Sequence, residues 1–280
     1  MYIINSRGGK ESFSQKKLYH SAKRAGVSDK SARMIAINIA KEIYPGIRTS
    51  EIFRKIKGLL QKESPVIALK FNIKESMRKL GPTGFPFEKY IGEILSTLGY
   101  EVKINQFLPG RCVRNYEIDF VARKGKEIYV GECKYRQYFG DRVHSQDALA
   151  NYARFLDISN GSYFKSDKDG GFTLKPILVT NTKFSGRALD YCRCAGVELL
   201  GWNYPENSGL EHIVDKEKLY PVTILPSLKT YLKDIFVKEK MMFVRDLLGI
   251  DAAEFAKKHR VPRGDIQRLI NQAKMLLGEI

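Results

Sequence analysis

Neither histidine nor cysteine is spaced in this sequence to hold a metal. The four histidines, His20, His144, His212 and His259, are scattered, and no two of Cys112, Cys133, Cys192 and Cys194 stand in a C-x-x-C pair. Zinc knuckles and serine–histidine centres are therefore not expected, and Cys-Arg-Cys at 192–194 is a poor match to zinc-site spacings. Four reduced structural thiols fit a reducing compartment. No apolar run reaches the roughly 18 residues that a bilayer span needs, and the N-terminus lacks a signal-like apolar core. A cytoplasmic protein with no membrane partner is the expectation. Internal repeats and long low-complexity tracts are missing too. Gly8-Gly9-Lys10 is not a P-loop, because the G-x-x-x-x-G-K-[ST] spacing is absent. The single tryptophan, Trp202, reads as a core residue.

Acidic residues are scarce, and unevenly so. The 48 Lys and Arg outnumber the 31 Asp and Glu, leaving a net charge of +17. Residues 1–80 carry +12, residues 81–226 only +1, and residues 227–280 carry +4. Positive charge gathered in the flanks suits a phosphate-bearing partner, with DNA the first expectation. A solvated basic surface kept for solubility is the plainer alternative. At 280 residues the chain exceeds one typical domain of about 100–200 residues, so two or three units are expected.

Three segments follow from the patterning. Residues 1–80 read as helical after a short extended start at 2–5, with Ala32, Ile35, Ala36, Ile39, Ala40 and Ile43 at helical spacing. Pro45-Gly46 ends that helix, and Thr49-Ser50-Glu51 supplies a capping residue and an acidic first turn for the next. A further helix follows Pro65 through Met77, and the turn-forming stretch 81–84 marks a boundary. Residues 81–226 alternate: a helix over 85–98, strands over 100–107, 116–122 and 127–135, a helix over 145–156, a strand over 176–180, a helix over 186–194 and a strand over 197–201. That order predicts an α/β fold, one sheet flanked by helices. Residues 160–171 read as a polar, glycine-rich loop, and residues 227–280 return to helices.

The chemistry lies on two of these strands. In Tyr116-Glu117-Ile118-Asp119-Phe120-Val121, alternation puts Ile118 and Phe120 on one side and Glu117 and Asp119 on the other. In Val130-Gly131-Glu132-Cys133-Lys134-Tyr135 the same rule groups Glu132 with Lys134 and turns Cys133 away. If the two strands pair in suitable register, Asp119, Glu132 and Lys134 converge. Two carboxylates form a hard-oxygen site for Mg²⁺ or Mn²⁺, which acidifies a water and neutralises charge on a phosphorane. The lysine can orient the water or offset phosphate charge. The bland alternative is a solvated strand face whose charges merely pair across strands.

The helix–three strands–helix order, with Asp119 on the second strand and Glu132-Cys133-Lys134 on the third, resembles the PD-(D/E)xK nucleases, and more specifically the Mrr-like restriction endonucleases. The likeness covers about residues 84–203. It includes Phe87-Glu88-Lys89-Tyr90, Glu117-Ile118-Asp119, Gly131-Glu132-Cys133-Lys134, Ser145-Gln146 and the run from Val179 to Ser185. Ile118 stands where the motif has proline. The resemblance implies a restriction-endonuclease-like mixed sheet, with Asp119 and Glu132 holding the metal and Lys134 serving the water. It also implies that Glu88 assists the metal from the first helix and that Gln146 sits beside the site. Plainer readings are an exposed first-turn carboxylate for Glu88, favoured by the helix dipole, and a surface amide for Gln146.

Residues 2–80 resemble an ATP-cone, a small helical nucleotide-binding module. The likeness rests on the stretch from Ile3 to Ser14, on Lys16-Lys17-Leu18, on Ala25-Gly26-Val27 and on Thr49-Ser50-Glu51-Ile52. It implies ATP or dATP as a regulator, with Arg7, Gly8, Lys10, Lys16 and Lys17 at the phosphates. Asn5 and Ser6 stand where that family often has lysine, which leaves the +12 charge free for DNA as the other reading. Residues 254–270 read as two helices joined by a short basic turn, either a helix-turn-helix or helix-hairpin-helix DNA clamp or a pair packing on the rest of the protein or a dimer mate.

The leading expectation is a Mg²⁺-dependent DNA endonuclease tuned by a nucleotide-sensing N-terminal domain (1–80), with the nuclease in 81–226 and a helical C-terminal domain in 227–280. Cutting both strands with one centre favours a homodimer. The alternatives are a nucleotide-responsive DNA-binding regulator whose nuclease fold does not cleave, and a structure-specific repair or junction nuclease.

Overall fold

The computed structural model describes every residue of the chain except Arg7, 82–85, Phe139 and Ile280, and of Lys168 only the backbone. The chain divides into two units, one of residues 1–77, 138–140 and 220–280, the other of residues 78–137 and 141–219.

The first unit opens with a hairpin, β1 (Tyr2–Ile4) paired antiparallel to β2 (Lys10–Ser12). The sequence reading has only the first strand. The second forms because the Gly8 N–H closes the turn on the Asn5 carbonyl and the Asn5 side chain accepts from the Gly9 N–H and donates to Glu11. Helices α1 (Gln15–Arg24), α2 (Asp29–Lys41) and α3 (Thr49–Glu63) follow. Ser14 and Ser28 cap the first two through their hydroxyls, whereas α3 starts after Arg48 with no side-chain cap. Thr49 is thus already inside α3, so the expected cap is not made. Of the six apolar positions noted on the second helical stretch, all but Ala40 are buried. They form one core with Ile3, Leu18, Ile52, Ile56 and Leu60. The helix read after Pro65 is two short ones, α4 (Pro65–Lys70) and α5 (Ile73–Arg78).

In the second unit, α6 (Phe87–Thr97) is followed by β3 (Glu101–Leu108), β4 (Tyr116–Lys124), β5 (Glu127–Cys133), the short β6 (Arg142–Val143) and α7 (Ser145–Ser159). After these come α8 (Lys165–Asp169), β7 (Thr173–Val179), β8 (Lys183–Phe184), α9 (Gly186–Ala195), β9 (Glu198–Leu200) and α10 (Leu210–Lys216). Five strands form one mixed sheet in the order β3-β4-β5-β7-β9, antiparallel from β3 to β5 and parallel from β5 to β9. Helix α6 packs on β3 and β4, with Gly92 against Ile104. Helices α7 and α9 cover the opposite side, where Leu178, Leu199, Ala148, Ala188 and Cys192 share a core. The segment read as a loop at 160–171 contains α8, whose Asp167 makes two hydrogen bonds, of 2.6 and 3.1 Å, with Arg123. A polar stretch becomes ordered there through a partner 44 residues away.

The chain then returns to the first unit as α11 (Thr230–Lys238), a 3₁₀ turn over Val244–Gly249, α12 (Ala252–His259) and α13 (Arg263–Leu277). Helix α13 packs on α12, on that 3₁₀ turn and on α4, so the two basic flanks belong to one unit. Among the described residues no helix is long and apolar enough to cross a membrane.

Candidate active site

The site forms where β4 loses its regularity. Phe120 pairs with Gly131 on β5, and one step further the same register sets Asp119 opposite Glu132. No ladder pair is made there. On the other side of β4 the bonded pairs jump from Ile104↔Phe120 to Gln106↔Ile118, and Asn105 between them has a left-handed φ of 51°. Asp119 thus lies just past the last β4–β5 pair and at the one missing pair of a β3–β4 ladder whose register continues unchanged.

The break also reverses the expected facing. Phe120 covers Gly131, where an added Cβ would come within 2.1 Å of its ring. Ile118 instead joins Val121, Ile128, Val130 and Ile158 in the core beneath α7. Simple alternation puts Ile118 and Phe120 on one face, and the structure separates them. The run from Ile118 to Ala122 is apolar apart from Asp119, so pattern alone could not locate the irregularity.

Asp119 Oδ2 accepts a 2.6 Å hydrogen bond from the Cys133 N–H, which the open ladder leaves for a side chain. Burial first, and then the charges of Glu132 and Glu88, push the Asp119 carboxyl up to about 6, against the lowering effects of the Cys133 amide and Lys134. Glu132 is only 7% exposed. One of its oxygens accepts from Lys134 Nζ at 2.5 Å and the other from Arg154 on α7, also at 2.5 Å. Lys134 is itself fixed by its backbone: its N–H donates to the Val179 carbonyl, and its carbonyl accepts from Thr180 Oγ1. Asn181 extends this clasp by accepting from the Arg136 N–H and donating to the Arg136 carbonyl, at 2.8 and 2.9 Å.

The structure therefore brings together Asp119, Glu132 and Lys134, with Glu88 near enough for its charge to be felt at Asp119. Gln146 is exposed in the first turn of α7, and the contact from that helix to the carboxylates comes from Arg154 instead. Sequence reading missed Arg154, Asn181 and Thr180 as site residues. Arg154 carried no local signal, since only the docking of α7 brings it over Glu132 and the Glu117 carbonyl.

Among the described residues no group of three or more Asp, Glu, His or Cys is gathered as a metal cage. The set still fits Mg²⁺ or Mn²⁺, because Mg²⁺ is commonly held by one or two carboxylates while keeping several waters. Asp119 and Glu132 supply the two carboxylates, and Asp119 is raised first by its burial and then by the charges of Glu132 and Glu88, which a bound cation would offset. Cys133 is buried and its thiol is pushed well up by burial, so it is no thiolate ligand. All four cysteines are free.

The described residues among those expected at a nucleotide lie on the opening hairpin and at the start of α1. Arg7 lies outside the described residues. Gly8 has a φ of 81° in the hairpin turn, Lys10 Nζ stands 4.9 Å from the Tyr2 ring centre, and Lys17 is exposed after giving its N–H to the Ser14 cap. Lys16 lines a cavity of about 510 Å³ with Tyr19, His20, Arg33 and Ile37.

The model of a family described as AF1548-like, C-terminal, matches residues 220–277. An uncharacterized protein of Archaeoglobus fulgidus is 35% identical over 191 residues, covering 67% of this chain and all of that one. The crystal structure of AF1548, a protein of unknown function, is similar at 33% identity and a TM-score of 0.55, over 69% of this chain and 97% of its own. The MspJI restriction endonuclease in complex with a 27-mer oligonucleotide aligns at 12% identity and a TM-score of 0.37, over 62% of this chain and 36% of its own, a likeness too slight to bear on activity.

Proposed function

The chain belongs to the AF1548-like family, and from the chemistry of its own strand-edge site we propose that it is a metal-dependent endonuclease of DNA. The observation that carries this reading is the meeting of Asp119 and Glu132 across an opened ladder, with Lys134 bonded to Glu132. A merely solvated strand face would not bury Glu132 to 7% exposure, nor hold Asp119 in surroundings that raise its carboxyl to about 6. Asp119 and Glu132 are the residues to hold Mg²⁺ or Mn²⁺. When bound, the metal acidifies a water and screens charge on the phosphodiester.

The chain's own side chains do the rest. The Lys134 ammonium has three donors and gives one to Glu132, leaving others for a water or a phosphate oxygen. Arg154 spends part of its planar donor set on Glu132 and can turn the remainder to a phosphate. Glu88 adds negative charge beside Asp119, which strengthens the pull on a cation. The helix–three strands–helix order around these residues is the one implied by the resemblance to Mrr-like and other PD-(D/E)xK nucleases.

The proposal extends to a nucleotide effect. The support is the cavity between α1 and α2, where Lys16 and Arg33 stand beside Tyr19 and His20. Cations with aromatic rings are suited to a phosphate and a base.

The test is to incubate the purified chain with supercoiled plasmid and Mg²⁺ or Mn²⁺, with and without ATP or dATP, beside Asp119→Ala. Nicking or linearisation that needs metal and is lost in the variant is the expected result. A second reading, a regulator that binds DNA without cutting, is favoured by one observation: both Glu132 oxygens are already paired with cations. Salt-sensitive DNA retention with no cutting under any condition would select it. Cutting confined to branched DNA would instead identify a junction or repair nuclease.

A further inference from the structure

We infer that α12 and α13 form a helix-turn-helix that sets α13 in the major groove of duplex DNA, where Gln267, Arg268 and Asn271 read base edges. This inference goes beyond cleavage and does not depend on it. The two helices are joined by three residues, with Arg260 in the left-handed region at φ 54° and Pro262 as the N-cap of α13. A turn of that length is typical of DNA-binding helix pairs.

Helix α13 divides cleanly into two faces. Ile266, Leu269, Ile270, Ala273, Leu276 and Leu277 are buried. Arg263, Gly264, Gln267, Arg268 and Asn271 are exposed, at the helical spacing that puts them on one side of its first three turns. In helix-turn-helix proteins this N-terminal part of the second helix reaches the bases.

The chemistry of that face selects the occupant. Amides and guanidinium are the groups that pair in bidentate fashion with adenine and guanine edges in the major groove. Among the described residues of α12 and α13 there is no exposed large apolar side chain, whereas a protein interface centres on apolar and aromatic anchors. Gln267 Nε2 donates to Asn271 Oδ1 at 3.0 Å, so the two amides already stand side by side.

Repulsion has been removed as well. Asp265, in the first turn of α13, would face a phosphate, but it is turned inward to Lys229 and Tyr231. No side chain caps the first-turn amides of α13, and Gly264 leaves the approach to them open. Lys257 and Arg260 are exposed on α12 and the turn, where the first helix crosses the backbone. The unit that carries this face holds 27 Lys and Arg against 13 Asp and Glu. That excess steers it to a polyanion.

The experiment binds the full chain to a random-sequence duplex DNA pool in EDTA, so that cleavage plays no part, and sequences the retained DNA. A short enriched sequence is expected. Gln267→Ala and Asn271→Ala should each weaken binding to it by roughly 5- to 150-fold, with melting temperature and binding to unrelated duplex unchanged. Lys257→Ala and Arg263→Ala should weaken both DNAs alike and lower the salt dependence by about 0.9 in log–log slope for each phosphate no longer neutralised. RNA duplex of the enriched sequence should not compete, because its major groove is too deep and narrow for a helix. An unenriched pool, or amide variants that keep the full preference, would overturn the inference. Because no metal is present, failure here is distinct from failure of the plasmid assay.

Discussion

Arg154→Met tests the site without altering either carboxylate, and its consequences can be worked from the geometry. The substitution keeps an aliphatic stem over the sheet and removes the cation that pairs with Glu132 at 2.5 Å. Removing one partner of a buried ion pair typically costs about 3–5 kcal/mol. Here the Arg154 side chain is 29% exposed and Glu132 keeps Lys134, so the loss should be smaller. A destabilisation of about 1–3 kcal/mol is expected without metal, which lowers Tm by roughly 2–5 °C for a chain of this size. The same change removes a competitor of the metal for Glu132. If the competition weakens metal binding about tenfold, saturating Mg²⁺ should stabilise the variant about 1.4 kcal/mol more than the native chain. The assay is thermal melting of both proteins in EDTA and along a Mg²⁺ or Mn²⁺ titration, with Arg154→Lys expected to fall between them. An unchanged Tm in EDTA, or a metal shift no larger than that of the native chain, would refute the account of Arg154 as a counter-ion held in the metal's place.

Three more outcomes follow from the same geometry. Asp119 titrates near 6 in the fold and near 3.8 in an open chain, so between those values the folded state binds the extra proton. In EDTA the protein should therefore gain stability from this group as pH falls through about 6 toward 4; Asp119→Asn should abolish that gain in melts across the range, and bound metal, which needs the carboxylate, should be released over the same window. Gly131→Ala places a Cβ 2.1 Å from the Phe120 ring; overpacking of this kind costs about 1–3 kcal/mol or more, and the loss in denaturant melts should be largely recovered by adding Phe120→Leu. Asn181→Ala leaves the backbone N–H and carbonyl of Arg136 without their partner; a loss of about 1–3 kcal/mol is expected, together with a fall in plasmid-cutting rate while metal affinity by titration calorimetry stays close to native.

Local chemistry made much of this molecule legible in advance. Helical spacing at Ala32, Ile35, Ala36 and Ile39 fixes the buried face of α2, since a helix repeats its face every three or four residues wherever it packs. The five strands of the mixed sheet and the helices between them follow from runs of apolar residues punctuated by glycine and polar turns. Asp119 and Glu132-Cys133-Lys134 stood out because carboxylates and a lysine are costly on a strand bound for a core.

The tertiary structure alone decided how those residues meet. Register is a property of two strands, and the ladder break that frees Asp119 depends on Asn105 in a neighbouring strand as much as on β4. The reversal between Ile118 and Phe120 was hidden because the residues on either side of Asp119 are apolar and suit either face. Arg154 and Asn181 reach the site through contacts 22 and 45 residues away in the chain, distances over which no periodicity carries information. The same holds for the two basic flanks. Composition set their charge, but only the packing of α13 against α4 joined them in one unit, because burial of apolar faces is settled between elements and not within them.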